Sequence, residues 1–360
     1  MTLGLFCHPE DEFASQLAAR MNAAATASCQ IFDLSWRNDP VLVLSDETLK
    51  CCGRDLNGFD WLWVRGLPYM DPVLPSPLRA VDWTLWRYDH LVEQQRYSAW
   101  ESLLSELERR GARLINPRRL LRRQFMVAEH LLYLRRRGFQ IPELLCSNDM
   151  MSVLAFTARH PRVRWRPATG RAAWQRFTEK QRLFLITPDK PPVVLTACAG
   201  HRQLRAWIFG GENLLCMNVE PAAMRDVEEL GVPTDHGELV RLESLEMWSP
   251  FMLGKEEVSE FKRLADVEGA LLFEVNFDVT ADGKVIIFCV DYDPPLESLP
   301  PSVQAHLLEA LSRRLLGFTA ADGTAQHLLP TRVERPVLFL RRMLQLQFEM
   351  EQSKYQDAEN

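Results

Sequence analysis

From Leu271 to Val279, apolar and polar positions alternate. Leu271, Phe273, Val275, Phe277 and Val279 fall on one side, and Glu274, Asn276 and Asp278 on the other. That is the period of a half-buried strand. Asp282-Gly283 follows as a tight turn, because glycine accepts the positive φ that such turns demand. Val285 to Val290 is almost wholly apolar, the pattern of a central strand, and Asp291-Tyr292-Asp293-Pro294-Pro295 ends it. The rest of the chain is arranged around this hairpin.

Ahead of it, short apolar runs alternate with helical periodicity. Thr2 to Cys7, Cys29 to Trp36, Val41 to Leu44 and Trp61 to Val64 read as strands. Asp11 to Met21 reads as a helix with Phe13, Leu17 and Met21 on one face. Strands alternating with helices predict a small parallel α/β domain. Ligands of such sheets sit beyond the carboxyl ends of the strands, which makes Arg65 a candidate anion contact. Leu78 to Arg110 is helical. Arg113 to Asn116 is a brief strand, and Arg118 to Arg137 an arginine-dense helical pair with Gly138 as its C-cap. Arg118, Arg119, Arg122 and Arg123 form a candidate surface for phosphate or an acidic peptide.

Further strands are expected at 144–146, 162–166, 183–187, 193–198, 204–209, 214–219 and 241–246. A helix follows over 255–267, with Val258, Phe261 and Ala265 inward. After the hairpin, 303–316 is helical and 320–331 is a polar loop. A last helix starts at Arg335-Pro336, with Val337, Leu340, Leu344 and Phe348 in one stripe. The organisation expected is an α/β (α+β) chain in three parts, 1–114, 115–300 and 301–360.

Composition narrows the function. The chain has 360 residues, 47% hydrophobic and 25% charged, with a net charge of −6. That balance is globular and gives no basic field for nucleic acid. No apolar run is long enough to span a bilayer and no signal peptide is seen. The eight cysteines are scattered without a zinc spacing. Together these predict a cytoplasmic protein with reduced thiols. Near the open end of the hairpin, Asn276, Asp278, Asp291 and Asp293 bring oxygen atoms together, the donor type that Mg²⁺ prefers.

Asn116-Pro117, then a helix, then Gly138 with Pro142, resembles the entry to the ATP-grasp module of RimK-type and graspetide-type peptide ligases. Leu204-Arg205 before Gly210-Gly211, and the helix, Gly269 and hairpin with Asp282-Gly283, resemble its later segments. The likeness covers roughly residues 115–297, and the preceding α/β segment resembles the N-terminal domain of these enzymes. It implies an ATP-grasp fold, ATP and Mg²⁺ as cofactors, and ligation of a carboxylate to an amine through an acyl-phosphate. A peptide or protein is the implied partner, and a second copy of the chain is a further candidate.

Matching residue by residue departs from that pattern. The expected lysines fall at Val127 and Arg166, the hinge glutamate near Ala197, and the metal Asp, Glu and Asn at Asn276, Cys289 and Asp291. Only Arg205 is unchanged. Each charge-assisted hydrogen bond is worth about 1.5–3 kcal/mol, so losing the groups at 127 and 197 costs roughly 3–6 kcal/mol of nucleotide binding. The expectation is a degenerate nucleotide site on a non-catalytic peptide- or protein-binding subunit. The alternative is a divergent ligase in which Arg166 and Arg205 hold phosphates while Asn276, Asp291 and Asp293 hold Mg²⁺.

Overall fold

A computed structural model describes residues 2–8, 10–24, 27–33, 42–65, 83–123, 126–168, 174–178, 192–198, 203–221, 243–317 and 331–336. The chain begins with β1 (Thr2–Cys7), α1 (Glu12–Ala23) and β2 (Ser28–Asp33). A small antiparallel sheet follows, made of β3 (Leu42–Leu44), β4 (Leu49–Cys51) and β5 (Arg54–Asp55). Then come β6 (Trp61–Val64), α2 (Trp83–Arg109) and β7 (Arg113–Ile115). β2, β1, β6 and β7 pair in that order, all parallel, as the alternation of strands and helices predicts. Asp11 caps α1 by accepting the Ala14 N–H at 2.8 Å, which lines up Phe13, Leu17 and Met21 for burial.

The short helices α3 (Arg118–Arg123) and α4 (Val127–Arg136) lead to a second sheet. It contains β8 (Leu144–Ser147), β9 (Val163–Pro167), β10 (Gln175–Arg176) and β11 (Val193–Ala197), in the order β10-β9-β11-β8, and α5 (Met150–Arg159) follows β8. The expected strand at 183–187 lies outside the described residues.

The third sheet has six antiparallel strands. They are β12 (Gln203–Phe209), β13 (Glu212–Pro221), β14 (Glu243–Pro250), β15 (Leu272–Val279), β16 (Val285–Asp291) and β17 (Thr331–Pro336). Two helices accompany them, α6 (Lys255–Glu268) and α7 (Pro301–Leu315). α6 ends at Gly269, whose φ of 64° is the left-handed C-cap. A β-carbon on Gly269 would lie 2.8 Å from Arg119 Nη2, so a side chain there would be strained by the backbone and would also displace the end of Arg119.

The six-stranded sheet buries both faces differently. Leu204, Ala206 and Ile208 of β12 and Phe273, Val275 and Phe277 of β15 pack on Phe261 and Leu264 of α6. On the opposite face Trp207, Met217, Val219 and Trp248 pack among α7 and α1, through Val303, Leu307, Leu311, Phe13 and Leu17. Asn116 joins this body to the N-terminal sheet. Its amide accepts the N–H groups of Leu271 and Leu272 at 2.8 and 3.0 Å and donates to the carbonyls of Leu272 and Tyr292. Every hydrogen-bonding valence of a fully buried side chain is thereby used.

The structure corrects four expectations. Val258 of α6 is exposed, and Leu264 takes the inward place with Phe261 and Ala265. The apolar strand β16 is an edge strand, not a central one. It tolerates that position because the Ile287 N–H bonds to the Gln140 carbonyl, so a crossing segment covers its open edge. Residues 331–336 form β17 on the edge of the sheet, where a loop end and a helix start were expected. The apolar stripe from Val337 lies outside the described residues. Finally, the polar side of β15 is not half-exposed: Glu274 and Asp278 are both buried. Among the described residues, no helix is long and apolar enough to cross a membrane.

Candidate functional site

The buried polar side of β15 faces β9 of the second sheet, where Arg164 reaches Asp278, and the strip between the two strands is the candidate cleft. Strand pairing sets the rows. Arg205 of β12 stands opposite Asn276, which stands opposite Cys289 of β16. In the next row Glu274 stands opposite Asp291. A register shift after Asn276 leaves Phe288 as an extra residue on β16. From the facing wall, the Arg164 guanidinium lies 4.1 Å from the centre of the Phe288 ring. Trp174 meets the same ring edge-on at 6.2 Å, and Arg166 lies over Trp174 at 5.8 Å.

The charges in the cleft are turned to each other. Arg205 Nε and Nη2 donate to Glu274 Oε1 and Oε2 at 2.7 and 2.8 Å. Asn276 Nδ2 donates to the same Oε1 at 2.7 Å. Arg164 Nη2 and Nη1 donate to Asp278 Oδ1 and Oδ2 at 2.7 and 3.0 Å. These are two-pronged guanidinium–carboxylate pairs, the strongest form of the contact. The Arg205 guanidinium also lies over Trp207 and Trp248, at 5.3 and 4.9 Å from their ring centres. Burial pushes the Cys289 thiol up to about 11, against the pull of nearby Arg166. It is therefore a neutral thiol, poorly suited to hold a hard cation.

The remaining residues singled out in the sequence divide between two places. Asp291 Oδ1 accepts the Asp293 N–H at 3.0 Å, and Asp293 is buried. Its charge adds to the field on Arg65, which is itself buried. Arg65 Nε donates to Asp11 at 2.7 Å and Nη2 to Glu297 at 3.0 Å. Burial alone would lower its pKa, but these carboxylates hold it above the ordinary arginine value. Far along the fold, Arg118 and Arg122 both donate to Glu101, at 2.6 and 2.5 Å. Arg119 donates to the Glu268 carbonyl at 2.6 Å, and Arg123 to both Glu268 carboxylate oxygens at 2.8 and 2.6 Å. All four arginines thus face acceptors of their own chain. Glu268 is buried beside His130, which meets the Tyr292 hydroxyl at 3.1 Å.

Sequence reasoning missed Arg164 as a site residue and took Glu274 for a solvent-facing position. The Arg162-x-Arg164-x-Arg166 alternation was the available signal, since residues two apart share a strand face. The lysine and glutamate positions of the resemblance hold Val127, buried at the start of α4, and Ala197 at the end of β11.

The donor types present suit a magnesium-bound phosphate. Guanidinium groups of Arg164, Arg166 and Arg205 match phosphate oxygens, and carboxylate and amide oxygens match a hard cation. Among the described residues, no group of three or more His, Cys, Asp or Glu is set to hold a metal. A magnesium ion there would rest on Asp291 and the Asn276 amide oxygen, with phosphate oxygens completing its shell. That is the usual way this ion is held.

No protein-family model and no curated protein matches the sequence. Solved structures do. The ATP-grasp ligase PsnB complexed with minimal precursor aligns over 88% of this chain and 99% of its own, at 15% identity and TM-score 0.67. The macrocyclase MdnC of Microcystis aeruginosa, bound with precursor peptide MdnA, aligns over 88% and 100% at 15% identity and TM-score 0.63. A RiPP-associated ATP-grasp ligase of Chryseobacterium gregarium, in complex with ADP and a leader and core peptide, aligns over 91% and 99% at 14% identity and TM-score 0.60.

Proposed function

From the ATP-grasp, graspetide-ligase-like fold that this chain carries, we propose that it is a divergent ATP-dependent carboxylate–amine ligase acting on a peptide. The observation that carries the reading is the cleft between β9 and β15. It gathers Arg164, Arg166 and Arg205 against Glu274, Asp278 and Asp291, the cations and oxygen donors that a magnesium–nucleotide requires. Bound there, the nucleotide would supply the phosphoryl group that activates a carboxylate for attack by an amine. Arg166 and Arg205 would hold phosphate oxygens, and Asp291 and Asn276 the ion. Trp174 and Phe288, packed edge to face, would exclude water from the floor. The precursor peptides bound in the similar solved structures support a peptide as the substrate class.

The solved relatives speak for this reading over the non-catalytic subunit expected from the substitutions at 127, 197 and 289. One observation still favours that second reading: the two-pronged hydrogen bonds by which Arg205 and Arg164 are already engaged with Glu274 and Asp278. Under it, the chain would hold a peptide without turning over nucleotide.

Two measurements separate the readings. Magnesium-ATP is titrated calorimetrically, and ADP release is followed with candidate precursor peptides. The ligase reading expects peptide-dependent ADP release that is lost in Asp291→Ala. Peptide binding with no ADP release, or release unchanged in Asp291→Ala, removes it.

A further inference from the structure

We propose that Glu274 sets the affinity of this cleft for phosphate, by occupying the face of Arg205 that a phosphate group would take. The inference rests on the ligase reading for its ligand, a magnesium-bound polyphosphate. It rests on the structure for its mechanism.

A guanidinium offers two edges suited to an oxyanion, Nε with Nη2 and Nη1 with Nη2, and both need Nη2. Arg205 gives the edge made by Nε and Nη2 to the Glu274 carboxylate. It cannot easily turn to serve a second anion. Its plane lies over the rings of Trp207 and Trp248, both fully buried, and the side chain itself is buried. The Oε1 that accepts from Arg205 Nε also accepts from the Asn276 amide. An incoming phosphate therefore competes with an internal anion already in place, at an effective concentration fixed by the fold.

The strand register adds a consequence. Glu274 stands opposite Asp291 on the β15–β16 ladder. Once released from Arg205, it becomes a second carboxylate beside Asp291. Two neighbouring carboxylates repel each other unless a cation lies between them. Displacement by phosphate and recruitment of a divalent cation would thus be one coupled event. Phosphate alone would bind weakly to the wild-type chain, and phosphate with Mg²⁺ more tightly.

Inorganic pyrophosphate is the probe, since it needs no adenine contact. Its affinity is measured calorimetrically for the full chain, with and without Mg²⁺, and folding is checked by circular dichroism. In the absence of divalent metal, Glu274→Gln is expected to bind pyrophosphate at least about tenfold more tightly than wild type, about 1.4 kcal/mol. Adding Arg205→Met to that variant should abolish the gain, which identifies the receptor. A folded Glu274→Gln protein with unchanged or weaker affinity overturns the proposal. Should that variant fail to fold, Asn276→Ala removes the second hold on the carboxylate and should tighten pyrophosphate binding a few-fold. No change there overturns the proposal as well. ADP release by the wild-type chain is read separately, so loss of the ligase reading and loss of this inference are distinct results.

Discussion

Arg164 and Asp278 lie 114 residues apart in the chain and on different sheets, yet they meet through two N–H···O bonds of 2.7 and 3.0 Å. The Asp278 side chain is almost wholly buried and Arg164 nearly so. The pair joins β9 to β15 near the turn end of the hairpin. Removing one member of such a pair leaves a buried charge without its partner, which costs about 3–5 kcal/mol. Asp278→Ala and Arg164→Ala should each lower the free energy of unfolding by an amount of that order. The Arg164→Ala/Asp278→Ala double variant should be destabilised by less than the sum of the two. A double-mutant cycle from urea unfolding measures the difference. Strict additivity would mean that the two groups do not act on each other in the folded protein.

The thiols give a pH dependence of definite sign. Burial pushes Cys289 up to about 11 from an ordinary value of 9.0, and Cys7 and Cys29 up to about 12. Between pH 9 and pH 11 the unfolded chain has lost protons that the folded chain still holds. Bound protons then favour the folded state, so stability is full below about pH 9 and falls as the pH rises through the folded-state values. Thermal melts should show this decline, and Cys289→Ala should flatten its lower part. At pH 8 the Cys289 thiolate fraction is about a hundredfold below that of an unperturbed thiol. Maleimide should therefore label exposed Cys52 well before Cys289. Equal rates would contradict the burial that sets the shift.

The hairpin of β15 and β16 was legible because its evidence is local. Alternation, an Asp-Gly turn and a double proline stop all fall within one stretch of chain. The parallel N-terminal sheet was legible for the same reason. What escaped was set by distance along the chain. Glu274 and Asp278 alternate with apolar neighbours as solvent-facing residues do. Their partners Arg205 and Arg164 lie 69 and 114 residues earlier, and nothing near β15 announces them. Arg118 and Arg122 read as a free basic surface because Glu101, which binds both, belongs to α2. β16 read as central because an edge strand covered by another segment needs the same apolar residues as a strand between two neighbours. The location of the cleft could be inferred from the order of elements, but the pairing inside it could not.

Arg65 was expected to meet an anion, and the anions it meets are Asp11 and Glu297 of the same chain. Its guanidinium also packs near the rings of Phe13 and Trp63, at 5.3 and 5.1 Å. The two carboxylates are not equal. The Asp11 side chain is only 10% exposed and doubles as the cap of α1, whereas Glu297 is half-exposed and screened by water. Glu297→Gln should therefore cost no more than about 1 kcal/mol. Arg65→Ala strands Asp11 and should cost about 3–5 kcal/mol. Arg65→Lys keeps the charge but not the fork that reaches both partners, and should fall between them. Urea denaturation of the three variants tests the order. If Arg65→Ala were as stable as wild type but lost peptide binding, Arg65 would be a substrate contact and not a tie between α1 and the segment after β16. The expected outcome is the reverse: a large loss of stability in Arg65→Ala, and peptide binding unchanged in Glu297→Gln.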